Sequence, residues 1–249
     1  MKNLKLAKYN IKSSFKPIII YYCILITVIT CLAILNKFSA ENNESSGIEF
    51  SSMIFLFVIG LNFFKENFHF TQANNISRAD YLKSVVIAIL PIALVMSILD
   101  VIINRVFNLS MVCPTFYDMT YAPGFINDIN KRVWIQSNSI GTLSRTVTFL
   151  FASYIVVFAL GLLITMIYYK CNKIMRILVS LSPIVIIAIG GIIFEGSSKF
   201  ENNVVDFFMN IFGLNTFNSY MAVMTLICLF IILMTFVYML VRKAVVKRT

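Results

Sequence analysis

The segment "VTFLFASYIVVFALGLLITMIYY" (Val147–Tyr169) contains no charged residue. A helix that crosses the hydrocarbon core of a bilayer needs about 20 apolar residues, and this segment meets that length. The rest of the chain is also unusually apolar, since 59% of all residues are hydrophobic and 13% are charged. Soluble domains carry about 25% charged residues. We therefore predict an all-α membrane protein with a single transmembrane domain over residues 1–249.

Other segments share the length and character of Val147–Tyr169, and together they predict six transmembrane helices. The other five are Pro17–Leu35, Phe50–Phe64, Ser84–Ile103, Ile177–Phe194 and Tyr220–Val241. Phe50–Phe64 is short for a span, so we expect its helix to continue into the polar residues that follow it. The run "VVDFFMNIFGL" (Val204–Leu214) is also too short to cross. It fits a re-entrant or interfacial helix, or a cap packed on the helix ends.

Lysine and arginine are distributed unequally between the two predicted sides. Fifteen of the 21 lie at the N-terminus, at 65–83, at 170–176 or at the C-terminus, which all fall on one side. Because basic residues concentrate on the inner face of membranes, this predicts that both termini are cytoplasmic. The net charge of +10 then reflects topology and contact with anionic lipid, so we expect no nucleic-acid partner.

The first sixteen residues carry a lysine at every third or fourth position. This spacing predicts a basic amphipathic helix (1–16) along the inner leaflet, ending where Pro17 begins the first span. The predicted membrane-interface residues are Lys5, Lys8, Lys12 and Lys16, and the predicted apolar face consists of Leu4, Ala7, Ile11 and Phe15. The alternative is a positively charged flank without fixed structure.

Residue types that carry chemistry are scarce in this sequence. The five cysteines form no metal or redox motif, and the single histidine, His69, lies in a connection. We therefore predict no catalytic residue, metal site or cofactor, and a chain that is not an enzyme. Asp100 is the only acid inside a clear span, near its outer end, with Asn104 one turn further on. A structural or interfacial role is favoured there, and a proton relay is the alternative.

A polar segment, "FKENFHFTQANNISRADYLKS" (Phe64–Ser84), separates the second and third spans. Ser77 and Asp80 are spaced as an N-cap residue and its acidic partner, which predicts that the third helix starts at Ser77. Residues 65–76 are then the true connection, and they mix aromatic with charged side chains. Exposed aromatics there would form a docking surface, or would anchor the span among lipid headgroups.

This layout resembles the permease subunit of ABC exporters of the second exporter class. That group includes small bacterial exporters of lantibiotics and phenol-soluble modulins. The local resemblance lies in "NNISRADYLKS" (Asn74–Ser84) and "YYKCNKIMRILVS" (Tyr168–Ser180), and the layout covers the whole chain. The long connection at 104–146 departs from the family pattern, which leaves the outer gate unassigned.

The resemblance implies a coupling segment between spans two and three that sits in a groove of a separate ATPase. In this chain the segment corresponds to Phe64–Ser77, and the implied ATPase contacts are Glu66, Asn67, Phe68, His69, Phe70 and Arg78. The implied partners are two ATPase subunits, which hold ATP and magnesium, and a second permease copy or a sister chain. The implied location is the bacterial cytoplasmic membrane.

The leading hypothesis is a permease that exports amphipathic or hydrophobic cargo, such as antimicrobial or toxin peptides, because the spans hold so few charges. One alternative is a membrane sensor or assembly protein that transports nothing. Another is a secondary transporter that couples to ions through Asp100.

Overall fold

A computed structural model describes residues 2–38, 47–110, 112–122, 125–128, 131–134, 136–181 and 198–242. The described elements are helical except for one short hairpin. In chain order they are α1 (Lys2–Phe38), α2 (Ile48–Ala73), α3 (Arg78–Phe107), α4 (Phe116–Tyr121), β1 (Phe125–Asp128), β2 (Lys131–Trp134), α5 (Ile140–Lys170), α6 (173–181), α7 (Ser198–Ile211) and α8 (Ser219–Arg242). β1 and β2 pair antiparallel, with Phe125 opposite Trp134.

Four described helices are long and apolar enough to cross a membrane. They are Asn3–Leu35, Arg78–Phe107, Ile140–Lys170 and Ser219–Arg242. The prediction of a mainly helical, multi-pass membrane protein is therefore confirmed. The apolar part of α2, Ile48–Phe64, is shorter, and its helix continues to Ala73 as expected. Most of the predicted span Ile177–Phe194 lies outside the described residues, so the count of six spans stays a prediction.

α1 is one continuous helix with Pro17 inside it, so the expected division between an interfacial helix and a first span is wrong. One buried stripe runs along both parts: Leu6, Ala7, Asn10, Ser14, Ile18, Tyr22, Leu25 and Ile29. Of the predicted apolar face, Ala7 lies on this stripe and Ile11 is half-buried, while Leu4 and Phe15 are exposed. Small and polar side chains at positions 7, 10 and 14 form the packing face because they allow close approach to a neighbouring helix. Lys5, Lys8, Lys12 and Lys16 are exposed, and their role at the membrane interface stays a prediction.

α1 lies alongside α3 in the same direction. Asn3 is beside Asp80 near the start of both helices, and the Tyr22 hydroxyl donates to the Asp100 carboxylate 3.0 Å away. The two pairs are separated by 19 and 20 residues along α1 and α3, so the helices remain in register over about 30 Å. The basic half of α1 therefore packs along the bundle rather than across its end.

α5 is the central helix, in contact with α2, α3, α4 and α8. Its closest approach is to α2, where Gly60 and Gly161 face each other. A Cβ added at Gly161 would lie 2.4 Å from the Phe57 carbonyl oxygen, and one added at Gly60 would lie 2.4 Å from that of Phe158. Thr165 Oγ1 donates to the Leu61 carbonyl oxygen at 2.6 Å beside this contact. Paired glycines thus bring the two backbones together, as in membrane helix packing.

Candidate functional site

The bundle has two distinct ends, named here for later use. The elbow end holds the turn 74–77 between α2 and α3, which we call the elbow. The α4 end lies opposite and holds residues 108–110 and 112–122. The bundle helices connect these ends, since Arg78 contacts the last residue of α8 at one end and Arg145 lies over the Tyr220 ring at the other.

The elbow is a tight turn with closed hydrogen bonding on both sides. α2 ends where the Ile76 N–H donates to Thr71 O at 3.0 Å and the Asn75 N–H donates to Gln72 O at 3.1 Å. Asn75 has φ 52°, and asparagine tolerates this left-handed conformation better than most residues. α3 begins directly afterwards, with Ser77 Oγ accepting from the Asp80 N–H at 3.1 Å. The predicted Ser77 cap is confirmed, and the elbow joins two helices without a flexible linker.

Four aromatic rings hold the elbow end of α2 against α3 and α5. We call Phe64, Phe68, Tyr81 and Tyr169 the aromatic cluster. The Phe68 ring stacks on Phe64 at 4.7 Å between centroids and meets Tyr81 edge-on at 5.7 Å and Tyr169 at 6.4 Å. Phe68 is 0% exposed. The expectation that Phe68 offers a docking contact is therefore wrong, because its ring fills the space among three helices.

The other expected contact residues at the elbow end are also engaged within the chain, as far as they are described. Phe70 is 45% exposed and stacks on Tyr9 of α1 at 5.2 Å. Arg78 donates to the carbonyl oxygen of Arg242. The Asn67 amide donates to the Phe63 carbonyl oxygen at 3.0 Å.

The side chains of Glu66 and His69 lie outside the described part of the structure. Around the elbow itself, the exposed described residues are 73–75, Ser77 and one face of Phe70.

Asp100 is buried in the bundle rather than near headgroups or water. Its Oδ1 accepts from Tyr22 and its Oδ2 accepts from Tyr154, so α1 and α5 both bind to α3 through this carboxyl. Asn104 does not pair with it. The sequence does indicate an intramembrane acid but not its partners, because Tyr22 and Tyr154 lie far away along the chain.

A polar network fixes the α4 end to the last turns of α3. The Asn104 amide donates to the Cys113 carbonyl oxygen at 2.9 Å, and Gln136 Nε2 donates to both Asn104 Oδ1 at 2.9 Å and Asp118 Oδ2 at 3.0 Å. Burial raises the pKa of the Cys113 thiol to about 12, so that thiol stays protonated. The network ties the 108–122 segment to the bundle, and sequence reasoning missed it because its members are spread over 33 positions.

Glu49 is a functional candidate that sequence analysis missed. It lies in the first turn of α2, just ahead of the apolar segment 50–64, and is 0% exposed. Neither carboxylate oxygen has a hydrogen-bond partner among the described residues. Burial raises the pKa of Glu49 to about 7, since removal from water disfavours its charged form. An acid at the start of an apolar segment was the available signal, but it resembles an ordinary interfacial residue.

α7 and α8 form an apolar groove at the α4 end. The groove has a volume of about 400 Å³ and is lined by Ile211, Tyr220, Met221, Met224 and Thr225. The Thr225 hydroxyl donates to the Ile211 carbonyl oxygen at 2.9 Å, which fixes the end of α7 on α8. The predicted interfacial run at 204–214 thus contains most of α7 and packs on a helix end. Within the described residues, no group of three His, Cys, Asp or Glu side chains could hold a metal ion.

Comparison of the chain with models of known protein families, with curated proteins and with solved structures found no match.

Proposed function

We propose that the chain is the permease subunit of an ATP-driven exporter whose motor is a separate ATPase chain. In this proposal two ATPase subunits, which bind ATP and magnesium, act on a pair of permeases in the bacterial cytoplasmic membrane. The pair is two copies of this chain or one copy with a sister chain. The cargo is amphipathic or hydrophobic, such as an antimicrobial or toxin peptide.

The observation that supports this proposal best is the rigid connection between the elbow and the bundle. A coupling element must transmit a displacement at the protein surface to the membrane helices without bending. The elbow does not end in a loose loop, and the Phe68 ring links α2 to α3 through Tyr81 and to α5 through Tyr169. The Gly60–Gly161 contact holds the same α2–α5 pair further along the helices. A displacement of the elbow would therefore move α2, α3 and α5 together.

The burial of Phe68 changes which residues the proposal assigns to the ATPase contact. Residues 73–75, Ser77 and the exposed side of Phe70 now form the proposed contact surface, together with Glu66 and His69, whose side chains lie outside the described part. Phe68 and Arg78 become positioning residues that transmit the displacement. The apolar groove between α7 and α8 offers a surface of the right character for apolar cargo.

The test pairs this chain with the soluble protein encoded beside it, if that protein carries a GxxxxGK[ST] phosphate-binding loop. A cysteine is placed at the elbow by Asn75→Cys, in a background without the five native cysteines. Ser110→Cys is the matched control, because it is also exposed and lies at the α4 end. We expect a short bifunctional reagent to link the ATPase to position 75 and not to position 110.

Transport is measured with the same pair of proteins in inside-out vesicles. We expect ATP-dependent uptake of an amphipathic peptide and no uptake of a hydrophilic sugar. Failure of the ATPase to co-purify with the full chain, or equal linking at positions 75 and 110, would overturn the proposal.

The burial of Asp100 supports a second candidate, a secondary transporter that couples to ions or protons. A buried acid that binds α1 and α5 through two tyrosines is an arrangement found in proton relays. Asp100→Asn would then abolish transport under an imposed pH gradient without ATP. In the exporter model the same variant leaves ATP-dependent transport largely intact. The sensor or assembly alternative requires neither result, and would be favoured if no transport is found.

A further inference from the structure

The starting observation is an unpaired acid in the interior, at the first turn of α2. Both carboxylate oxygens of Glu49 are buried, and neither has a hydrogen-bond partner in the part of the chain that the structure describes. Its own backbone N–H and that of Phe116 lie close enough to lower its pKa, but neither meets the geometry of a hydrogen bond to the carboxylate. An ionised carboxylate in such a place is strongly disfavoured, and a proton on the carboxyl removes the charge.

The second observation is an arginine of α3 that has unused donors and whose charge interacts with that of Glu49. Arg105 Nη1 lies 3.5 Å from Asp118 Oδ2, which is long for a charged pair. Its Nε and Nη2 are buried, and neither has a hydrogen-bond partner within the described ranges. Asp118 does not depend on this arginine, because the same Oδ2 also accepts from the Thr115 N–H at 3.2 Å and from Gln136 Nε2 at 3.0 Å. Arg105 can therefore leave Asp118 at low cost.

The groups around Glu49 come from every element packed against it. Those close enough to affect its charge, or to be affected by it, are Tyr21 of α1, Asp100 and Arg105 of α3, Cys113 ahead of α4, Asp118 of α4 and Tyr154 of α5. Two are acids that oppose ionisation of Glu49, and Arg105 is the cation that would favour it. A shift of the Arg105 guanidinium towards Glu49 would therefore favour the ionised form of Glu49.

We propose that Glu49 is a buried proton-binding site and that Arg105 is its conditional partner. With the proton bound, Glu49 is a neutral acid and Arg105 stays with Asp118. When the O–H bond breaks, the proton passes to solvent and the carboxylate accepts hydrogen bonds from Arg105 Nε and Nη2. The new ion pair ties the end of α3 to the first turn of α2 and releases α4 from the arginine. The α4 end therefore has two arrangements that pH selects, whatever the chain transports.

Infrared spectroscopy of the full chain in nanodiscs tests the proton site directly. The chain is labelled with ¹³C at glutamate side chains, so that the carbonyl stretch of a protonated glutamic acid separates from that of aspartic acid. We expect a protonated-glutamate band at about pH 5 that disappears by about pH 9. Glu49→Gln should remove this titrating band, and Asp206→Asn, which changes an exposed acid of α7, should leave it.

Thermal stability supplies a second measurement that needs no label. A proton held at a pKa of about 7 in the folded chain, against an ordinary 4.5, makes the folded state less stable as pH rises from 4.5 to 7. Above pH 7 the contribution of Glu49 to folding stability no longer changes with pH. Glu49→Gln should remove this fall, so the melting temperature of the variant relative to wild type should rise as pH increases from 4.5 to 7.

The Arg105 part of the proposal is tested by a double-mutant cycle with Glu49→Gln and Arg105→Gln. We expect coupling in melting temperature above the transition and none below it. Coupling that is equal at both pH values, or absent at both, overturns the exchange of partners. A labelled wild-type chain without a protonated-glutamate band at about pH 5 overturns the proton site, even if the variants do not fold. A titrating band that persists in Glu49→Gln does the same.

Discussion

Replacing Phe68 with alanine distinguishes a structural role from a docking role at the elbow end. The substitution removes a ring that is 0% exposed and touches three other rings. Phenylalanine-to-alanine changes in cores lower the free energy of unfolding by about 3–5 kcal/mol. Each aromatic pair contributes about 0.5–1.5 kcal/mol to stability beyond the burial of its apolar area. We expect a loss of about 3–5 kcal/mol, which corresponds to a fall in melting temperature on the order of 10 °C for a chain of this size.

The assay heats detergent-solubilised chain without any partner and measures the fraction that remains monodisperse in size-exclusion chromatography. Phe70→Ala is the matched control, since it removes an equal ring that is 45% exposed and has a single stacking partner, Tyr9. Its expected cost is about 1 kcal/mol. The two variants differ in burial and not in chemistry, so their difference measures the packing of the aromatic cluster.

Stability of the isolated Phe68→Ala chain equal to wild type would refute this reasoning. If Phe68→Ala leaves stability unchanged but weakens binding to the ATPase, the sequence-based expectation of an exposed docking ring would be restored. A large loss of stability with Phe68→Ala, and a small one with Phe70→Ala, would instead support Phe68 as a positioning residue.

Three further predictions concern other contacts. Gly161→Ala should destabilise the chain by several kcal/mol in the same heating assay, because the added Cβ would lie 2.4 Å from a carbonyl oxygen of α2. Gly141→Ala is the control and should have little effect, because the nearest atom to its added Cβ is 4.0 Å away. Ser77→Ala should cost about 1 kcal/mol in chemical unfolding by loss of the N-cap, and Ser77→Asn should restore most of it. Tyr154→Phe should cost about 1–3 kcal/mol, because it leaves one Asp100 oxygen unpaired in the interior, measured as reduced thermal stability.

Features set by neighbouring residues could be predicted from the sequence. The Ser77 cap requires only Ser77 and Asp80, which are three positions apart, and the structure has that bond. The continuation of α2 beyond Phe64 follows from a lack of helix breakers before the asparagines of the elbow. Both features depend on residues that are only a few positions apart, so a single sequence contains the information that determines them.

Features set by distant residues could not be predicted in this way. Phe68 and Phe70 are both aromatic and only two positions apart, yet one faces the bundle and the other faces outward. In α1, Asn10 and Ser14 read as polar but lie on the buried stripe. Inside a bilayer apolar side chains are at no disadvantage facing lipid, so hydrophobicity alone does not identify the packing face.

The parallel register of α1 and α3 has a consequence for the bilayer around the protein. The apolar stretches Pro17–Leu35 and Ser84–Ile103 are displaced along the bundle by about ten residues, or about 15 Å, when Tyr22 is level with Asp100. A flat bilayer cannot be centred on both apolar stretches at once. If it is centred on α3, Lys16 falls near mid-depth, where a charged side chain costs about 2.5–3.5 kcal/mol. We therefore expect thinned and hydrated lipid beside the lysines of α1, and thicker bilayers should favour separation of α1 from α3.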